Sequence, residues 1–259
     1  MALDEDDLAR TRLALHAACQ WPSMAARANL AAVADDSHSN LGWSEGHRAL
    51  VSRSLTVAGA GGGEAAVAVA FAGPSIEWYL EGRVVDELSL NVTSDAEIKV
   101  WLDGCLTAHG LLPTGNAVMP YQLDVPLAAG ELGLTESVAA IAEWFGQGHA
   151  ALTGLIREHL ISLMAPEPRV WPHHFDLGIL FALEEGDPET VRSVGVGFSP
   201  GDDSSGDPYL YCSPWPVPDA ALLPEAGAPL RWHTEGFVSV VGNRTDVTDS
   251  DLARCWTAR

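Results

Sequence analysis

The chain has 259 residues, with 35 acidic and 14 basic side chains and a formal net charge of −21 at pH 7. Its 47% of hydrophobic residues and 19% of charged residues are typical of a globular protein, not a disordered one. So acidic a chain is a poor candidate for binding nucleic acid or an anionic membrane, because both need a basic surface. The acidity favours neutral or cationic ligands instead.

The cysteines and the start of the chain point to a cellular compartment. Cys19, Cys105, Cys212 and Cys255 are scattered and form no CxxC pair, which argues against a zinc ribbon or a thioredoxin-type motif. The acidic N-terminal segment lacks the basic and apolar stretches of a signal peptide, and no apolar run is long enough to span a membrane. These features predict a cytoplasmic protein with reduced thiols.

The first half, residues 1–134, is predicted to hold a helix, antiparallel strands and a second helix. An acidic segment opens the helical region at 4–34, and Pro22 is expected to break it in two. Ser94 and Glu97 have the spacing of a capping box at the start of the second helix. The glycines at 61–63 predict a hairpin turn between the first two strands. Strands are predicted at 50–58, 64–72, 75–82 and 84–92.

The second half, residues 135–259, is predicted to start with a long helix at 135–164 and to end with a short one at 248–257. Between them we predict four strands, at 170–184, 191–199, 208–214 and 230–241. Two short echoes suggest an internal duplication. His-Ala-Ala occurs at 16–18 and 149–151, and His-x-Asn/Asp-Leu-Gly occurs at 38–42 and 174–178.

These patterns predict an α+β fold of mostly antiparallel sheets flanked by helices, with two topologically similar halves. The strands cluster between helices and do not alternate with them, which disfavours a doubly wound parallel sheet. We expect the second half to pack on the first as one globular unit. The glycine run also lacks the spacing of a phosphate-binding loop.

Polar and aromatic residues concentrate in two predicted strands, VWPHHFDLGILFALEE at 170–185 and LRWHTEGFVSVV at 230–241. Because side chains alternate along a strand, His174 and Asp176 should share one face while Phe175, Leu177 and Ile179 lie buried on the other. A slip by one residue would expose all the apolar side chains, so this phase is strongly specified.

If the two strands pair with these faces aligned, polar residues from both would converge. Arg231, His233 and Glu235 share a face of the second strand. The cluster has three interpretations: a structural network of cross-strand polar contacts, a site for a ligand or metal ion, or a catalytic His–carboxylate pair. The candidate ligands of a divalent metal such as zinc, and the candidate catalytic residues, are His174, Asp176, His233 and Glu235.

Further residues are candidates for binding a small molecule. If a strand persists through 209–215, its tyrosines and tryptophan share one face and would line a pocket for an apolar or planar ligand, or simply pack in a core. The acidic loop at 199–207 does not match an EF-hand and is interpreted as a solvated hairpin loop. The candidate ligand-binding residues are His38, Asn40, His173, Tyr209, Tyr211, Trp215, Arg231 and Trp232.

Several motifs carry a resemblance to a known family. The segments FDLG, GFSPG, DPYLYCSPWPVP and WHTEGF resemble an uncharacterised bacterial family with FDLA, GF-x-PG, EP-x-FY and YPEP elements. The segments HAACQW and His-Ser-Asn-Leu-Gly are similar to its H-x-x-x-Q helix and the His-containing strand that follows. The chain departs from the family at Asp207, where the pattern has Glu, and at SPWPVP. The resemblance implies one globular unit with a shared polar centre and no particular reaction.

The function expected from the sequence is binding of a small molecule or divalent metal in a pocket of histidine, carboxylate and aromatic residues. One alternative is a hydrolase that uses a metal or a His–carboxylate pair, although no Gly-x-Ser-x-Gly elbow is present. Another is a structural protein that binds a partner, which would expose an apolar patch. Neither the ligand nor the oligomeric state follows from the sequence.

Overall fold

The computed structural model describes residues 4–57, 62–91, 93–118, 135–159, 167–186, 190–202 and 205–248. Within these ranges it shows an α+β fold with two antiparallel sheets of six strands each, and the predicted fold class is confirmed. The chain divides into two compact units. The first comprises residues 1–143 and 170–175, and the second residues 144–169 and 176–259.

In its described residues, the first unit contains three complete α-helices and the start of a fourth. The region predicted as one broken helix is α1 (Glu5–Ala18) followed by α2 (Gln20–Asn29). The break falls at Cys19, three residues before Pro22. Proline is tolerated in the first turn of a helix but not in its interior, so a new helix begins at Gln20. The capping box of Ser94 and Glu97 opens α3 (Asp95–Ala108), as predicted. α4 (Glu136–His159) begins in this unit and continues into the second.

The sheet of the first unit is a meander in the order β1-β2-β4-β5-β6, with β3 paired to β4. Its apolar face carries Leu50, Val69, Ile76 and Trp78, all buried, and α2 and α3 contact β4 and β5. The β3–β4 pairing supports the predicted hairpin, although residues 58–61 of its turn lie outside the described ranges. The strands are β1 (Gly42–Ser44), β2 (Ala49–Val51), β3 (Leu55–Val57), β4 (Gly63–Ala70), β5 (Ser75–Leu80) and β6 (Arg83–Ser89).

The second sheet has the order β11-β12-β10-β9-β8-β7. In the second unit, the Trp144 ring of α4 packs edge-on against Phe198, and its indole N–H donates to the Ser199 carbonyl at 2.8 Å. The strands are β7 (Arg169–Trp171), β8 (Asp176–Ala182), β9 (Ser193–Ser199), β10 (Tyr209–Trp215), β11 (Arg231–His233) and β12 (Ser239–Asn243). The helix predicted at 248–257 lies almost entirely outside the described residues.

Two strands predicted as continuous are each interrupted. The segment 170–184 forms β7 and β8, separated by a turn at 172–175 in which Phe175 has a φ of +59°. The segment 230–241 forms the hairpin of β11 and β12, with Gly236 at a φ of +85° in its loop. Alternation of apolar residues did not reveal these breaks, because Phe175 stays buried although it leaves the strand conformation.

Candidate functional site

The turn at residues 172–175, called here the histidine turn, is held in place by two side chains from the N-terminal helices. His16 Nε2 donates to the carbonyl of Pro172 at 2.6 Å, and Gln20 Nε2 donates to the same oxygen at 2.8 Å. The spacing of four residues places both side chains on one face of the helical segment. Together they form a clamp that fixes where the next residues, His173 and His174, stand.

The histidine turn has an unusual backbone. Phe175 adopts the left-handed conformation, which costs an ordinary residue roughly 1–2 kcal/mol. Its ring is 1% exposed and stacks on the His16 ring, with centroids 5.2 Å apart and planes 12° apart. Burial of the phenyl ring and the clamp on Pro172 compensate this cost. A strained backbone that the surroundings hold in place is a feature of many functional sites.

Two imidazoles of this region, those of His16 and His173, are kept uncharged by their surroundings. Burial, followed by the proximity of His174, lowers the pKa of His173 to about 4. Burial also lowers the pKa of His16, against the hydrogen bond to Pro172, which raises it. Since a carbonyl can only accept a hydrogen bond, the proton of neutral His16 lies on Nε2, and Nδ1 is a hydrogen-bond acceptor. His173 and His174 face each other with ring centroids 4.3 Å apart.

Buried polar side chains continue along the same helical face. Arg12, Gln20 and Ser23 are 8%, 9% and 0% exposed, and the Arg27 side chain is 6% exposed. Arg27 pairs with Asp36 through an Nη1–Oδ1 contact of 3.1 Å. The Ser23 hydroxyl has no hydrogen-bond partner within the described part of the chain. Such a density of buried polar groups is unusual on a helix face that packs inward, and each calls for a structural or functional reason.

Two predicted ligand-binding residues, His38 and Asn40, also lie buried in the first unit. Burial, followed by the nearby Arg27 charge, lowers the pKa of His38. Its Nδ1 accepts a hydrogen bond from the Val33 amide at 3.3 Å, and Asn40 Oδ1 accepts one from Arg53 Nε at 3.0 Å. These contacts explain their burial in structural terms. A role in ligand binding stays a prediction for both.

Sequence reasoning missed most of this site. His16, Gln20, Ser23, Arg27 and Arg12 were not candidates, although the H-x-x-x-Q pattern was part of the family resemblance. The signal that identifies them is their spacing of four, four, three and four residues from 12 to 27 in an alanine-rich helical segment. A stripe of polar residues at helical spacing reads as a solvated face. Here it is buried: His16 and Gln20 lie against the histidine turn, and Arg27 pairs with Asp36.

The predicted convergence of His174, Asp176, His233 and Glu235 was wrong. His174 lies in the histidine turn and not on β8, and Glu235 lies in the loop after β11. The strand register does place Asp176 and His233 on the same face of the second sheet. However, β9, β10 and β12 lie between their strands, which at about 4.8 Å per step separates them by roughly 19 Å.

Several polar residues of these two segments have partners of their own. Asp176 accepts a hydrogen bond from the Tyr211 hydroxyl, and His233 Nε2 donates to the Glu235 carbonyl at 2.6 Å. Arg231 donates twice to Asn243 Oδ1 at 3.1 Å, and Trp232 donates to the Pro224 carbonyl at 2.7 Å. Within the described ranges, no three His, Cys, Asp or Glu side chains form a group that could hold a metal ion.

The two tyrosines of β10 each donate a hydrogen bond to a carboxylate. Tyr209 donates to Asp202 Oδ2 at 2.5 Å, and Tyr211 donates to Asp176. Burial, followed by the Asp176 charge, raises the pKa of Tyr211 well above its ordinary value, and burial with the Asp202 hydrogen bond does the same for Tyr209. Both are therefore neutral donors. The predicted shared face of Tyr209, Tyr211 and Trp215 is confirmed by the register, but Trp215 is 47% exposed and stands apart.

The described cysteines are free thiols: Cys19 and Cys212 are buried, and Cys105 is partly buried. Burial, followed by the Asp86 charge, raises the pKa of Cys105 to about 11, and burial also raises that of Cys19. Neither thiol carries appreciable thiolate at neutral pH, which disfavours nucleophilic roles. No helix in the described ranges is long and apolar enough to cross a membrane.

Comparison with protein-family models, with curated proteins and with solved structures found no match to this chain. The resemblance to the uncharacterised bacterial family therefore stays an expectation.

Proposed function

We propose that the protein binds an uncharged, polar small molecule at the histidine turn of its first unit. The observation that carries the proposal is the clamped, strained turn, which holds two adjacent imidazoles in fixed positions. Fixing recognition groups in advance removes the entropic cost of ordering them on binding. A turn that served only to connect two strands would not need a bulky residue at positive φ.

The electrostatics of the site favour an uncharged ligand. His173 has a pKa of about 4 and is neutral at physiological pH. The nearby guanidinium of Arg27 is already paired with Asp36. The His173 imidazole therefore offers hydrogen bonding without a charge of its own, which suits hydroxyl or amide groups on a ligand more than phosphates or ammonium ions. This agrees with the preference for neutral or cationic ligands expected from the net charge.

The proposal is tested by thermal-shift screening with polyols, small amides, carboxylates, phosphates and amines at constant ionic strength. The best compound is then titrated against the wild type and the variants His173→Gln and His174→Ala. We expect each variant to weaken binding roughly tenfold, the equivalent of one good hydrogen bond. His47→Ala removes an exposed histidine of the same unit and serves as the matched control.

Binding that is equally strong in the wild type and in both histidine variants would contradict the proposal. If only phosphates, or only amines, raise the melting temperature, the proposal that the ligand is uncharged is contradicted. Because His174 is exposed and its side chain is not part of the clamp, His174→Ala should fold normally, so lost binding in this variant reports on the site and not on the fold.

A hydrolase is the second candidate function. The observation that favours it is the neutral state of His16 and His173, since a general base must be unprotonated at working pH. A screen with chromogenic esters and amides separates the two functions. Turnover that disappears in His173→Gln and persists in His47→Ala would support the enzyme. Ligand binding without turnover supports the binding protein.

A further inference from the structure

A groove of about 510 Å³ opens on the sheet of the second unit, on the face that also carries Tyr211. Its volume falls in the range of roughly 300–1,000 Å³ that is usual for small-molecule pockets. The residues that form it come from β8, β9 and β10, from the segment just after β10 and from the loop between β11 and β12. Its principal lining residues are Leu180, Gly195, Ser213, Trp215, Thr234 and Phe237.

The floor of the groove is open because β9 has a glycine at its centre. Gly195 pairs with Leu180 on one side and Ser213 on the other. A Cβ placed on Gly195 would meet only Leu180 and Ser213 atoms, at 3.9–4.0 Å. By contrast, a Cβ on Gly197 would lie 2.4 Å from the Tyr211 hydroxyl oxygen. The space over Gly197 is thus filled by the protein itself, while the space over Gly195 is left open.

The walls of the groove are aromatic and exposed. Trp215 is 47% exposed and Phe237 is 39% exposed. Phe237 is held by the His233 ring, with centroids 4.3 Å apart. None of the lining residues carries a charged side chain, although the chain as a whole is strongly acidic. Large apolar rings that remain exposed to water do not gain the free energy of burial. A cluster of such rings on a protein surface indicates a binding site.

We propose that this groove binds an uncharged, planar aromatic molecule that lies over Gly195 beside Trp215 and Phe237. A flat ring fits a glycine floor because no side chain rises from it, and it can pack against both aromatic walls. The Ser213 hydroxyl, which donates to Ser239 Oγ at 3.0 Å, is free to accept one hydrogen bond from a polar group on the ligand. The lack of charge in the lining excludes a strong preference for ions. This site is separate from the histidine turn and does not depend on the function proposed there.

The test uses prodan, an uncharged naphthalene dye whose emission reports on a dry environment, and the anionic dye 1-anilinonaphthalene-8-sulfonate for comparison. The dyes are titrated into the wild type and into Gly195→Leu and Trp215→Ala. Gly195→Leu places a side chain in the groove from a Cβ that meets only ordinary contacts at 3.9–4.0 Å, and Trp215→Ala removes a wall. We expect each variant to raise the prodan dissociation constant at least tenfold, roughly the loss of one aromatic contact with its buried area. Prodan should bind the wild type more tightly than the anionic dye does.

Two controls match these variants. Gly104→Leu adds the same side chain at a helix position where nothing lies within 4 Å, and Leu222→Ala removes a side chain that is 79% exposed. Both should bind prodan as the wild type does. Unchanged prodan binding in both groove variants would overturn the proposal. A second result would also overturn it: the wild type binds no prodan and is a dimer by sedimentation velocity, while Trp215→Ala is a monomer. The groove would then be an interface between copies of the chain.

Discussion

Single glycines determine how the second sheet is packed. Tyr211 lies across β9 and β8, and its hydroxyl reaches Asp176 at the start of β8. This position requires that the two strands carry no side chain below the ring. Cβ atoms on Gly178 and Gly197 would lie 2.8 Å and 2.4 Å from the Tyr211 hydroxyl oxygen. The pattern Gly178, Gly195, Gly197 looks like weak strand propensity in the sequence, but at two of these positions it makes room for one tyrosine.

Replacing Gly197 by Ala is expected to destabilise the protein strongly. The new methyl group would lie 2.4 Å from the Tyr211 hydroxyl oxygen and 2.6 Å from the Leu177 carbonyl oxygen, and the latter belongs to the backbone and cannot move aside cheaply. We expect a loss of about 2–4 kcal/mol in the free energy of unfolding, measured by urea denaturation. Gly195→Ala, whose methyl group meets only ordinary contacts at 3.9–4.0 Å, is the control and should change stability by less than about 1 kcal/mol. Equal effects of the two substitutions would refute this account.

At the scale of elements, one acceptor joins both N-terminal helices to the histidine turn. The Pro172 carbonyl receives hydrogen bonds from both His16 and Gln20. Gln20 uses its side-chain amide twice, since it also donates to the His16 carbonyl at 3.0 Å. The break between α1 and α2 at Cys19 lies between these two residues, so the clamp also ties the two helices together.

We expect Gln20→Ala to loosen the histidine turn without unfolding the protein. The substitution removes one of the two donors to the buried Pro172 carbonyl, which should cost about 1–2 kcal/mol. Hydrogen–deuterium exchange should speed up at the amides of His174 and Phe175, which both bond to the Trp171 carbonyl. Arg10→Ala, at an exposed position of α1, should leave these amides unchanged. Protection that is retained in Gln20→Ala would show that the clamp is not what holds the turn.

The elements themselves were largely predictable from the sequence, and the site was not. The Ser94–Glu97 capping box, the break near Pro22 and the burial of Leu177 and Ile179 all follow from local chemistry and side-chain periodicity, whereas Phe175 is buried as predicted but from a turn. The interruptions at 172–175 and 234–238 depend on backbone conformations that periodicity does not report. The predicted polar cluster failed because residues on one face of a sheet are neighbours only if their strands are adjacent, and strand order is a long-range property.

The two units of the whole molecule do not follow the predicted boundary between residues 134 and 135. The first unit extends to residue 143, inside α4, and takes in residues 170–175 from the later part of the chain. The similarity of the two halves is nevertheless visible: each contains a six-stranded antiparallel sheet made mostly of sequential hairpins. The second departs from a simple meander at its end, where β12 pairs with β10 and β11 lies outside it.

The stability of the whole molecule should fall as the pH drops below neutrality. The pKa of His173 is lowered from 6.5 to about 4, so the unfolded chain takes up a proton between these values that the folded chain does not. Stability from this group is therefore complete above about pH 6.5 and is lost as the pH falls toward 4. Because His173 is partly exposed, we expect solvent screening to reduce its contribution to on the order of 1 kcal/mol. His16 and His38, with pKa values shifted in the same direction, add to the effect.

This pH dependence is measured by urea denaturation at pH 7.5 and pH 5.0 for the wild type and His173→Gln. The variant cannot take up the proton, so its stability should change less between the two pH values. His47→Gln, which replaces an exposed histidine, should follow the wild type. A wild type that becomes more stable on acidification would show that relief of repulsion within the −21 chain outweighs the cost of protonating the buried imidazoles.

The interleaving of the two units has a consequence for how the chain is made. His16 and Gln20 are synthesised about 150 residues before their acceptor, Pro172. At typical rates of about 5–20 residues per second, the N-terminal helices wait roughly ten seconds or more for it. During that interval His16 and Gln20 lack the acceptor that they share in the folded chain. A nascent chain that ends at residue 143 would contain the strands of the first sheet but lack residues 170–175, which complete the first unit. The first unit can therefore be completed only after part of the second unit has been synthesised.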